Sequence, residues 1–421
     1  MAGFFRPTSR VAGHETKLTI SNTAETYILA VDFLIVGAGI GGALLANLLS
    51  RAGKRVLILE REAAPGRIIR PEVLWPATVQ FLETILPREV LHDRALLALR
   101  GLQFNYKNSA RVRVSSGSFK KTGIQPWSSH GSMTRAMLLE GAGCEIERGV
   151  EVIGLLKEAG RVVGARIRPT GGGAEREISA RWTVGDDGGH SVVRRECGIE
   201  LQLHHLPMDP LLFALDWPEF LEFATAQIWL NPHRRRSGVY VMGVIPRPGG
   251  TGAGLIIMRP RLFDNPDELQ RCLQQFLATD RRLADIVGSR RFPEDLIRVR
   301  LGWGHAERYG TEGALLIGDA AHAVTPAGGQ GANMAIADAR VLADVIRAGE
   351  SQLVEKYEGR RRTANERSMS ISRWATRLLS LPDFVTAPFL PAAVWLASCF
   401  PAVATRGLRS VSTAFLERSG Q

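Results

Sequence analysis

The residues best suited to chemistry lie between Leu315 and Ala339. An apolar strand there leads directly into Gly318 and Asp319, and a glycine-rich turn then opens a helix. A carboxylate at the end of a strand can accept hydrogen bonds from the hydroxyls of a polyol. The free N–H groups at the start of a helix stabilise negative charge on a bound ring. Together these properties predict a site for the ribityl chain and the pyrimidine edge of a flavin.

A second pattern, near the start of the chain, is typical of dinucleotide binding. The apolar strand Phe33 to Val36 is followed by Gly37, Gly39 and Gly42 and then by a helix rich in alanine and leucine. The first glycine permits a tight turn, the second the close approach of a pyrophosphate, and the third close packing of the helix. The next strand ends on Glu60, which we expect to bind the ribose hydroxyls of an adenosine.

A third motif, DDGGHSVVR, begins at Asp186. With GAGIGG and LERE before it and GDAAHAVTPAGGQGAN after it, the stretch from Val31 to Arg360 resembles the group A flavoprotein monooxygenases. This family includes para-hydroxybenzoate hydroxylase, ubiquinone-pathway hydroxylases and relatives of squalene epoxidase. The resemblance implies an α/β fold, in which a Rossmann-like FAD-binding domain carries an inserted β-sheet substrate domain and a helical C-terminal segment.

The same resemblance implies which residues bind FAD. Those expected to contact the cofactor are Gly37, Gly39, Gly42, Glu60, Arg61, Arg135, Asp187, Gly188, Asp319, Pro326, Gly329, Gly331 and Asn333. Pro326 and Gly328 would lie near the isoalloxazine ring, and Asp187 and Gly188 near the pyrophosphate and the path of NAD(P)H. No side chain is assigned to catalysis, because the flavin performs the chemistry while the protein orients and shields it.

Two positions depart from the family pattern. Asp186 stands where relatives usually carry alanine, and we expect its carboxylate to face solvent, with Arg194 and Arg195 offsetting its charge. The alternative is that this carboxylate weakens the pyrophosphate contact. Pro71 stands where glycine is more frequent, in a segment that resembles the part of the family passing beside the flavin, with Arg70, Glu72, Leu74 and Pro76. Otherwise Arg70 and Glu72 would be an ordinary surface pair before a helix.

Composition and charge narrow the class of protein. The chain has 421 residues, 45% of them hydrophobic, and a formal charge of +11 that comes chiefly from arginine. The arginines are dispersed, without a basic stripe interleaved with aromatic residues, which argues against a nucleic-acid partner. The four cysteines are scattered without metal-ligand spacing, so neither a metal site nor a disulfide framework is expected. A reducing cytoplasm is the compartment that this cysteine usage predicts.

The motifs and the hydrophobic alternation suggest how the chain is divided. Residues 1–30 are expected to form a flexible N-terminal extension. Residues 31–74, 128–198 and 300–360 would form the FAD-binding domain, and residues 75–127 and 199–299 the substrate domain. Residues 361–421 would form the helical C-terminal segment. Trp75, Trp303 and Phe213 could wall a substrate pocket, although aromatic residues at such positions are usually core.

The resemblance implies an FAD-dependent monooxygenase that consumes NADH or NADPH. Its C4a-hydroperoxyflavin would hydroxylate or epoxidise a lipophilic aromatic or isoprenoid substrate, such as a prenylated phenol or a quinolone, with molecular oxygen as co-substrate. NAD(P)H would visit and leave, because Gly249 to Gly254 lacks the spacing of a second dinucleotide motif. The alternatives are an FAD-dependent reductase of isoprenoid double bonds and a flavin-bound protein without turnover. A halogenase is disfavoured because the chain has no W-x-W-x-I-P sequence.

The apolar segment Leu381 to Ala404 lies near the C-terminus. Four prolines interrupt it, which disfavours a membrane-spanning helix. Because arginines flank it, we expect it to dock on an anionic membrane surface. A pair of short helices covering the substrate domain or a dimer seam is the alternative. The expected location is therefore cytoplasmic and peripheral on the inner face of the membrane, for a monomer or homodimer.

Overall fold

The computed structural model describes residues 31–64, 70–106, 108–292, 294–326 and 328–380. In chain order, strands β1 to β21 are Val31–Val36, Val56–Glu60, Glu72–Leu74, Leu96–Ala98, Gly101–Tyr106, Ser109–Ser115, Trp127–Ser129, Glu145–Arg148, Val150–Glu158, Arg161–Pro169, Arg176–Gly185, His204–His205, Asp209–Asp216, Thr225–Leu230, Val239–Arg247, Thr251–Met258, Ile297–Arg298, Gly302–His305, Gly310–Thr311, Ala314–Leu316 and His322–Ala323. Helices α1 to α11 are Ile40–Arg51, Pro76–Glu83, Arg88–Arg94, Ser116–Thr122, Gly131–Glu140, Val192–Glu196, Arg234–Ser237, Pro266–Leu277, Arg281–Val287, Gln330–Ala348 and Leu353–Ser380. The expected N-terminal extension and the segment Leu381 to Ala404 lie outside the described residues.

The larger sheet has the order β19-β20-β11-β1-β2-β8, with β10 and β9 continuing from β11. Strand β1 is parallel to both β11 and β2, and β11 is parallel to β20. The strands at the centre are almost wholly apolar, as expected for a parallel sheet covered on both faces. The carboxyl ends of β1, β11 and β20 therefore meet at one edge, which is where ligands bind in open α/β sheets.

Helices α1, α5 and α10 pack together beside this sheet. The apolar residues of α1, such as Leu44, Leu45 and Leu49, are completely buried. One polar side chain of α1 is also buried: the Nδ2 of Asn47 donates to the main-chain oxygen of Leu138 in α5 at 2.8 Å. These contacts hold the N-termini of α1 and α10 near the ends of the parallel strands.

A second, seven-stranded sheet has the order β17-β13-β16-β15-β14-β5-β6. It joins residues 101–115 to residues 209–298, which are two separate pieces of the chain. Alternation along its strands gives it two apolar faces. One face, with Phe213, Trp229 and Met242, is covered by α8 and α9, and the other carries Met208, Val241 and Ile257. Strands β5 and β6 form an antiparallel pair within this sheet.

Helix α11 runs without interruption from Leu353 to Ser380. The expected boundary between residues 360 and 361 falls inside this helix, and Arg361 is buried against the FAD-binding part of the chain. The reason is that α11 packs along α10. Its buried polar residues therefore contact the FAD-binding part of the chain and do not belong to a separate unit. No helix among the described residues is long and apolar enough to cross a membrane.

Candidate functional site

The glycine-rich loop between β1 and α1 is closed tightly on itself. Gly37 has a φ of +98°, which favours glycine. A Cβ atom on Gly42 would lie 2.5 Å from the main-chain oxygen of Gly37 and 2.9 Å from Oδ2 of Asp186. A Cβ on Gly39, the residue before α1, would overlap the Asp186 carboxylate. This crowding explains why glycine is needed at all three positions. Because glycine has no side chain, a pyrophosphate could approach the amides of the loop closely.

Two of the predicted residues lie against this loop. The Oε2 of Glu60 accepts from the N–H of Ala38 at 2.9 Å, and its Oε1 accepts from the N–H of Glu62 at the same distance. The Nη1 of Arg135, in α5, donates to the oxygen of Ala38 at 3.4 Å. Arg61 instead lies on the surface, with its side chain 73% exposed. Glu60 and Arg135 thus support the loop, whereas the exposed Arg61 side chain lies beside Glu62.

Asp187 and Gly188 follow β11 directly. The Oδ2 of Asp187 accepts from the N–H of Val192 at 2.7 Å and of Val193 at 3.2 Å, so its side chain holds the start of α6. Burial raises the pKa of this carboxyl group. The main-chain nitrogen of Asp187 lies against Gly37, and Gly188 has a φ of +78°. The backbone of this motif therefore adjoins the glycine loop, while the Asp187 side chain faces the other way.

The expectation that Asp186 faces solvent is wrong. Its Oδ2 accepts from the N–H of Gly42 at 2.7 Å, inside the glycine loop. The two arginines expected to offset its charge donate elsewhere: Arg194 to the oxygens of Ala320 and Gly189, and Arg195 to that of His190. The physical reason is that the N–H groups at the start of α1 attract a carboxylate more strongly than distant guanidinium groups do.

Asp319 lies on the turn Gly318–Ala320, at the carboxyl end of β20. Its side chain is 41% exposed, and its Oδ2 is 3.9 Å from Nη1 of Arg70. The turn itself is bonded to α10, because the N–H of Gly318 donates to Oδ2 of Asp338 at 3.0 Å. Asp319 is thus an accessible acceptor on a fixed turn, with one cation beside it.

The second glycine-rich turn leads into α10. Gly328 and Gly329 have φ values of +83° and +62°, and Gly329 is the residue before the helix. Its N–H donates to the oxygen of the exposed Pro326 at 3.0 Å, and Gly331 lies in the first turn of α10. The amides of this helix start are the group expected to stabilise charge on the flavin ring.

Asn333 is predicted to contact the cofactor, but its side chain is completely buried and bonded to protein. Its Oδ1 accepts from the N–H of Trp75 at 3.0 Å, and its Nδ2 donates to the oxygens of Val73 and Gly329. The Nε1 of Trp75 in turn donates to the oxygen of Gly328 at 3.2 Å. Asn333 therefore positions the turn that precedes α10, because its amide joins that turn to the segment after β3.

Arg70 and Glu72 do not form a surface pair. The carboxylate of Glu72 lies inside, where a Cβ on Gly131 of α5 would overlap it. Burial raises the pKa of Glu72, although the charges of Arg247, Arg70 and Arg135 oppose that shift. Arg247, at the end of β15, donates to the oxygen of Arg70 at 2.6 Å. A single polar cluster thus connects the second sheet to the segment that leads into β3.

A buried charge network below the Gly318–Ala320 turn was not predicted. Asp338 accepts from Nε of Arg361 at 2.7 Å and lies 2.5 Å from Nε2 of His322. Asn365 donates to both Asp338 and the hydroxyl of Tyr309. Although burial acts to raise it, the charges of His322 and Arg361 lower the pKa of Asp338.

A cleft of about 780 Å³ opens between α5 and the edge of the second sheet. Its lining includes four arginines, namely Arg135, Arg148, Arg247 and Arg290, against the carboxylates of Glu140 and Asp216. Arg148 is paired in register with Glu60, so one end of the cleft adjoins the glycine loop. The excess of positive charge suits ligands that carry phosphates.

The described residues therefore contain a glycine loop, an acidic residue after β2 and two helix starts around one edge of a parallel sheet. The family model described as an FAD binding domain matches residues 30–372 of the chain. The chain belongs to this family of group A flavin monooxygenases. It is an FAD-dependent monooxygenase, with the Rossmann-like fold of that family. The loop, Glu60 and Asp319 fit FAD, whereas the negative charge of the Asp186 carboxylate, which contacts the loop from the end of β11, does not.

Known proteins similar to this flavin monooxygenase are named monooxygenases or hydroxylases. A 6-methylpretetramide 4-monooxygenase from Streptomyces rimosus is 27% identical over 401 residues, which span 88% of this chain and 90% of that protein. The aklavinone 12-hydroxylase DnrF of Streptomyces peucetius is 29% identical, spanning 84% of this chain and 77% of that one. The crystal structure of p-nitrophenol 4-monooxygenase PnpA from Pseudomonas putida DLL-E4 has the same fold, with a TM-score of 0.75 at 18% identity and coverage of 91% and 99%.

Proposed function

We propose that this monooxygenase hydroxylates a fused-ring aromatic compound of the polyketide kind, with NADH or NADPH as reductant. The names of two relatives, a 6-methylpretetramide monooxygenase and an aklavinone hydroxylase, support this substrate class. Hydroxylation is favoured over epoxidation because an aromatic carbon is the site of attack in such compounds. The observation that carries the proposal is an apolar, aromatic cluster directly beside the turn before α10.

This cluster contains Trp75, Ile124, Met334 and Met369, with Trp303 packed against it. Trp75 is bonded to Gly328 through its ring nitrogen, so the cluster adjoins the position proposed for the isoalloxazine ring. Trp303 stacks on His204 with 4.2 Å between ring centroids and remains half-buried. Flat aromatic rings prefer such surroundings. Phe213, by contrast, is buried under α8 and α9 and takes no part in the proposed pocket.

The second face of the seven-stranded sheet offers a further apolar wall. Its partly exposed residues are Leu206, Ile228, Leu230, Tyr240 and Leu255. Leu206 follows β12, which pairs with the strand of Trp303. A broad apolar wall excludes water from a pocket and suits a large, poorly soluble ring system better than a small charged molecule. We therefore place the substrate between this wall and the Trp75 cluster.

The chain contributes orientation and a dry site rather than a reacting side chain. FAD, once bound and reduced, supplies the activation of dioxygen and the transfer of one oxygen atom to the substrate. The N–H groups at the start of α10 stabilise negative charge on the ring, and Asn333 keeps that helix start against the segment after β3. For the reductant, the basic cleft beside α5 provides cations that can meet its phosphates.

The test is a screen of fused-ring aromatic polyketides, simple phenols, quinolones and polyprenyl compounds with the purified FAD-loaded protein. We expect a fused-ring compound to stimulate NAD(P)H oxidation, with equal oxygen uptake and a product heavier by one oxygen atom. Parallel assays with NADH and NADPH identify the reductant. Stimulation only by polyprenyl compounds, with a product heavier by two hydrogens and no oxygen uptake, would instead support an isoprenoid reductase. No stimulation by any fused-ring compound would refute the proposed substrate class.

We also propose that the segment Leu381 to Ala404 brings the protein to an anionic membrane surface. Support comes from its sequence, which combines Phe384, Phe389 and Trp395 with arginines on both sides. Such docking would suit a lipophilic substrate delivered from a bilayer.

A further inference from the structure

The carboxylate of Asp186 lies at the glycine loop, in contact with residues on two elements. It accepts the N–H of Gly42, the third residue of α1, at 2.7 Å. A Cβ on Gly41 or on Gly318 would lie 3.1 Å from its Oδ1, so the start of α1 and the turn after β20 both approach it closely. Its main-chain N–H donates to the oxygen of Val36 at 2.8 Å, so the residue is fixed at the end of the parallel sheet.

This position is the one that a phosphate group needs. The amides at the start of a helix after a G-x-G-x-x-G loop bind the pyrophosphate of a dinucleotide, because they carry partial positive charge and no internal partner. In this chain one of those amides, that of Gly42, already has a carboxylate as acceptor. A negatively charged Asp186 and a negatively charged pyrophosphate therefore compete for the same donors and repel each other.

The surroundings of Asp186 do not neutralise it. The negative charges of three carboxylates act on it: Asp319, on the turn after β20, Asp187, next in the chain, and Asp338, in α10. The cations near them are engaged with other groups, since Arg70 is beside Asp319, Arg194 donates to main-chain oxygens, and His322 and Arg361 contact Asp338. Burial, opposed by the hydrogen bond from Gly42 and reinforced by the three carboxylates, raises the pKa of Asp186 well above its ordinary value.

We propose that FAD binds to the form of the protein in which Asp186 is a neutral carboxylic acid, so that the affinity for FAD falls as the pH rises. The neutral acid is a weaker acceptor for the Gly42 amide and can donate its own O–H to a phosphate oxygen. Binding at a pH where Asp186 is ionised in the free protein takes up one proton from solvent. The inference rests on FAD binding alone and does not depend on the proposed substrate.

The sign follows from linkage between proton and FAD binding. Below the pKa of Asp186 in the free protein, the acid is neutral and the dissociation constant is independent of pH. Above it, the dissociation constant rises about tenfold for each pH unit, because one proton must be bound together with FAD. The rise ends at the pKa of Asp186 in the complex, which the pyrophosphate charge raises further.

The experiment measures the dissociation constant of FAD by quenching of flavin fluorescence between about pH 6 and pH 9. The proteins are the wild-type chain, Asp186→Asn, and Glu145→Gln, which removes an exposed carboxylate from β8. We expect wild type and Glu145→Gln to lose affinity together as the pH rises, by tenfold per unit once Asp186 ionises. Asp186→Asn should bind FAD at least as tightly as wild type does at low pH, with a flat profile.

Calorimetry of FAD binding to the wild-type protein, in two buffers of different ionisation enthalpy, gives a readout that no variant can disturb. We expect uptake of up to one proton in the upper part of the pH range. Three results would overturn the proposal: a pH profile shared by wild type and Asp186→Asn, weaker binding by Asp186→Asn at every pH, or a flat wild-type profile without proton uptake.

Discussion

Nε of Arg361 donates to Oδ1 of Asp338 at 2.7 Å, although the two side chains are only 1% and 0% exposed. The pair joins the middle of α11 to α10, directly below the turn that carries Asp319. Its charges are removed from water, so each depends on the other for compensation. The position of the turn is therefore tied to an ion pair that never meets solvent.

Asp338→Asn should destabilise the protein by about 3–5 kcal/mol, because Arg361 keeps its charge in a buried site that has lost its counter-ion. Urea denaturation followed by circular dichroism measures the loss. Asp344→Asn is the matched control, since Asp344 lies on the same helix and pairs with Arg347 at the surface. That control should change stability by less than about 1 kcal/mol. Equal losses of stability in the two variants would show that the buried pair stabilises the fold no more than the surface pair does.

His305 should make the folded state less stable in mild acid. Burial and the charges of Arg362 and His322 lower the pKa of His305 from 6.5 to about 4. Between these values the unfolded chain binds a proton that the folded chain does not, so stability falls as the pH drops from about 6.5 towards 4. Between about pH 7 and pH 4.5, we expect the midpoint of urea denaturation to fall less for His305→Gln than for the wild-type protein. The exposed His190→Gln should keep the wild-type slope, and a wild-type slope in His305→Gln would contradict the assignment.

Gly42→Ala should weaken FAD binding by at least roughly tenfold, because the new Cβ must displace the main-chain oxygen of Gly37 or the Asp186 carboxylate. Fluorescence titration gives the affinity, and circular dichroism shows whether the fold is retained. Gly359→Ala is the control, since a Cβ there, on α11, meets open space. Unchanged affinity in Gly42→Ala would show that the loop can relax without cost.

Asp319→Ala should raise the dissociation constant of FAD about 5- to 150-fold, which corresponds to about 1–3 kcal/mol for a lost charged acceptor. Thermal stability should change little, because this side chain is partly exposed and Arg70, the described cation beside it, is 3.9 Å away. Asp285→Asn, an exposed carboxylate on α9, serves as the control. Full flavin occupancy of Asp319→Ala after gel filtration in dilute solution would remove Asp319 from the site.

Truncation after Ser380 should abolish binding to anionic liposomes while FAD remains bound. The cut is placed there because Arg361 and Asn365 of α11 belong to the buried network. Flotation with anionic and with zwitterionic vesicles compares the truncated and the full chain. If the truncated protein floats with anionic vesicles as well as the full chain does, docking through Leu381 to Ala404 is refuted.

The spacing of Gly37, Gly39, Gly42 and Glu60 predicted the loop because local geometry alone requires those residues. Asp186 could not be predicted in the same way, since its direction depends on the amides of α1, which are 144 positions away in sequence. Asn333 illustrates a related difficulty. Its type and place suggested a ligand contact, but a buried amide binds whichever main-chain groups the neighbouring segment presents.

The Asp338 network shows what pattern reading misses entirely. His322, Asp338 and Arg361 lie on three different elements, and neither their spacing nor their types mark them as partners. The packing of α11 on α10 brings Arg361 to Asp338, and Asp338 also contacts His322 on β21. The expected boundary after residue 360 followed the end of the family resemblance, but it falls inside the continuous helix α11.

Helix α11 contacts the core at intervals along its length: Tyr357 bonds to Leu316, Arg361 to Asp338, Ser372 to Thr325, and Arg373 lies over Trp303. One added residue between Tyr357 and Arg373 would turn everything after it by about 100° and advance it by about 1.5 Å. Such an insertion would separate the contacts beyond it from the contacts before it, whatever its chemical nature. This stretch is therefore a place where evolution can exchange side chains but cannot easily change length, and variation in length is expected in the surface loops instead.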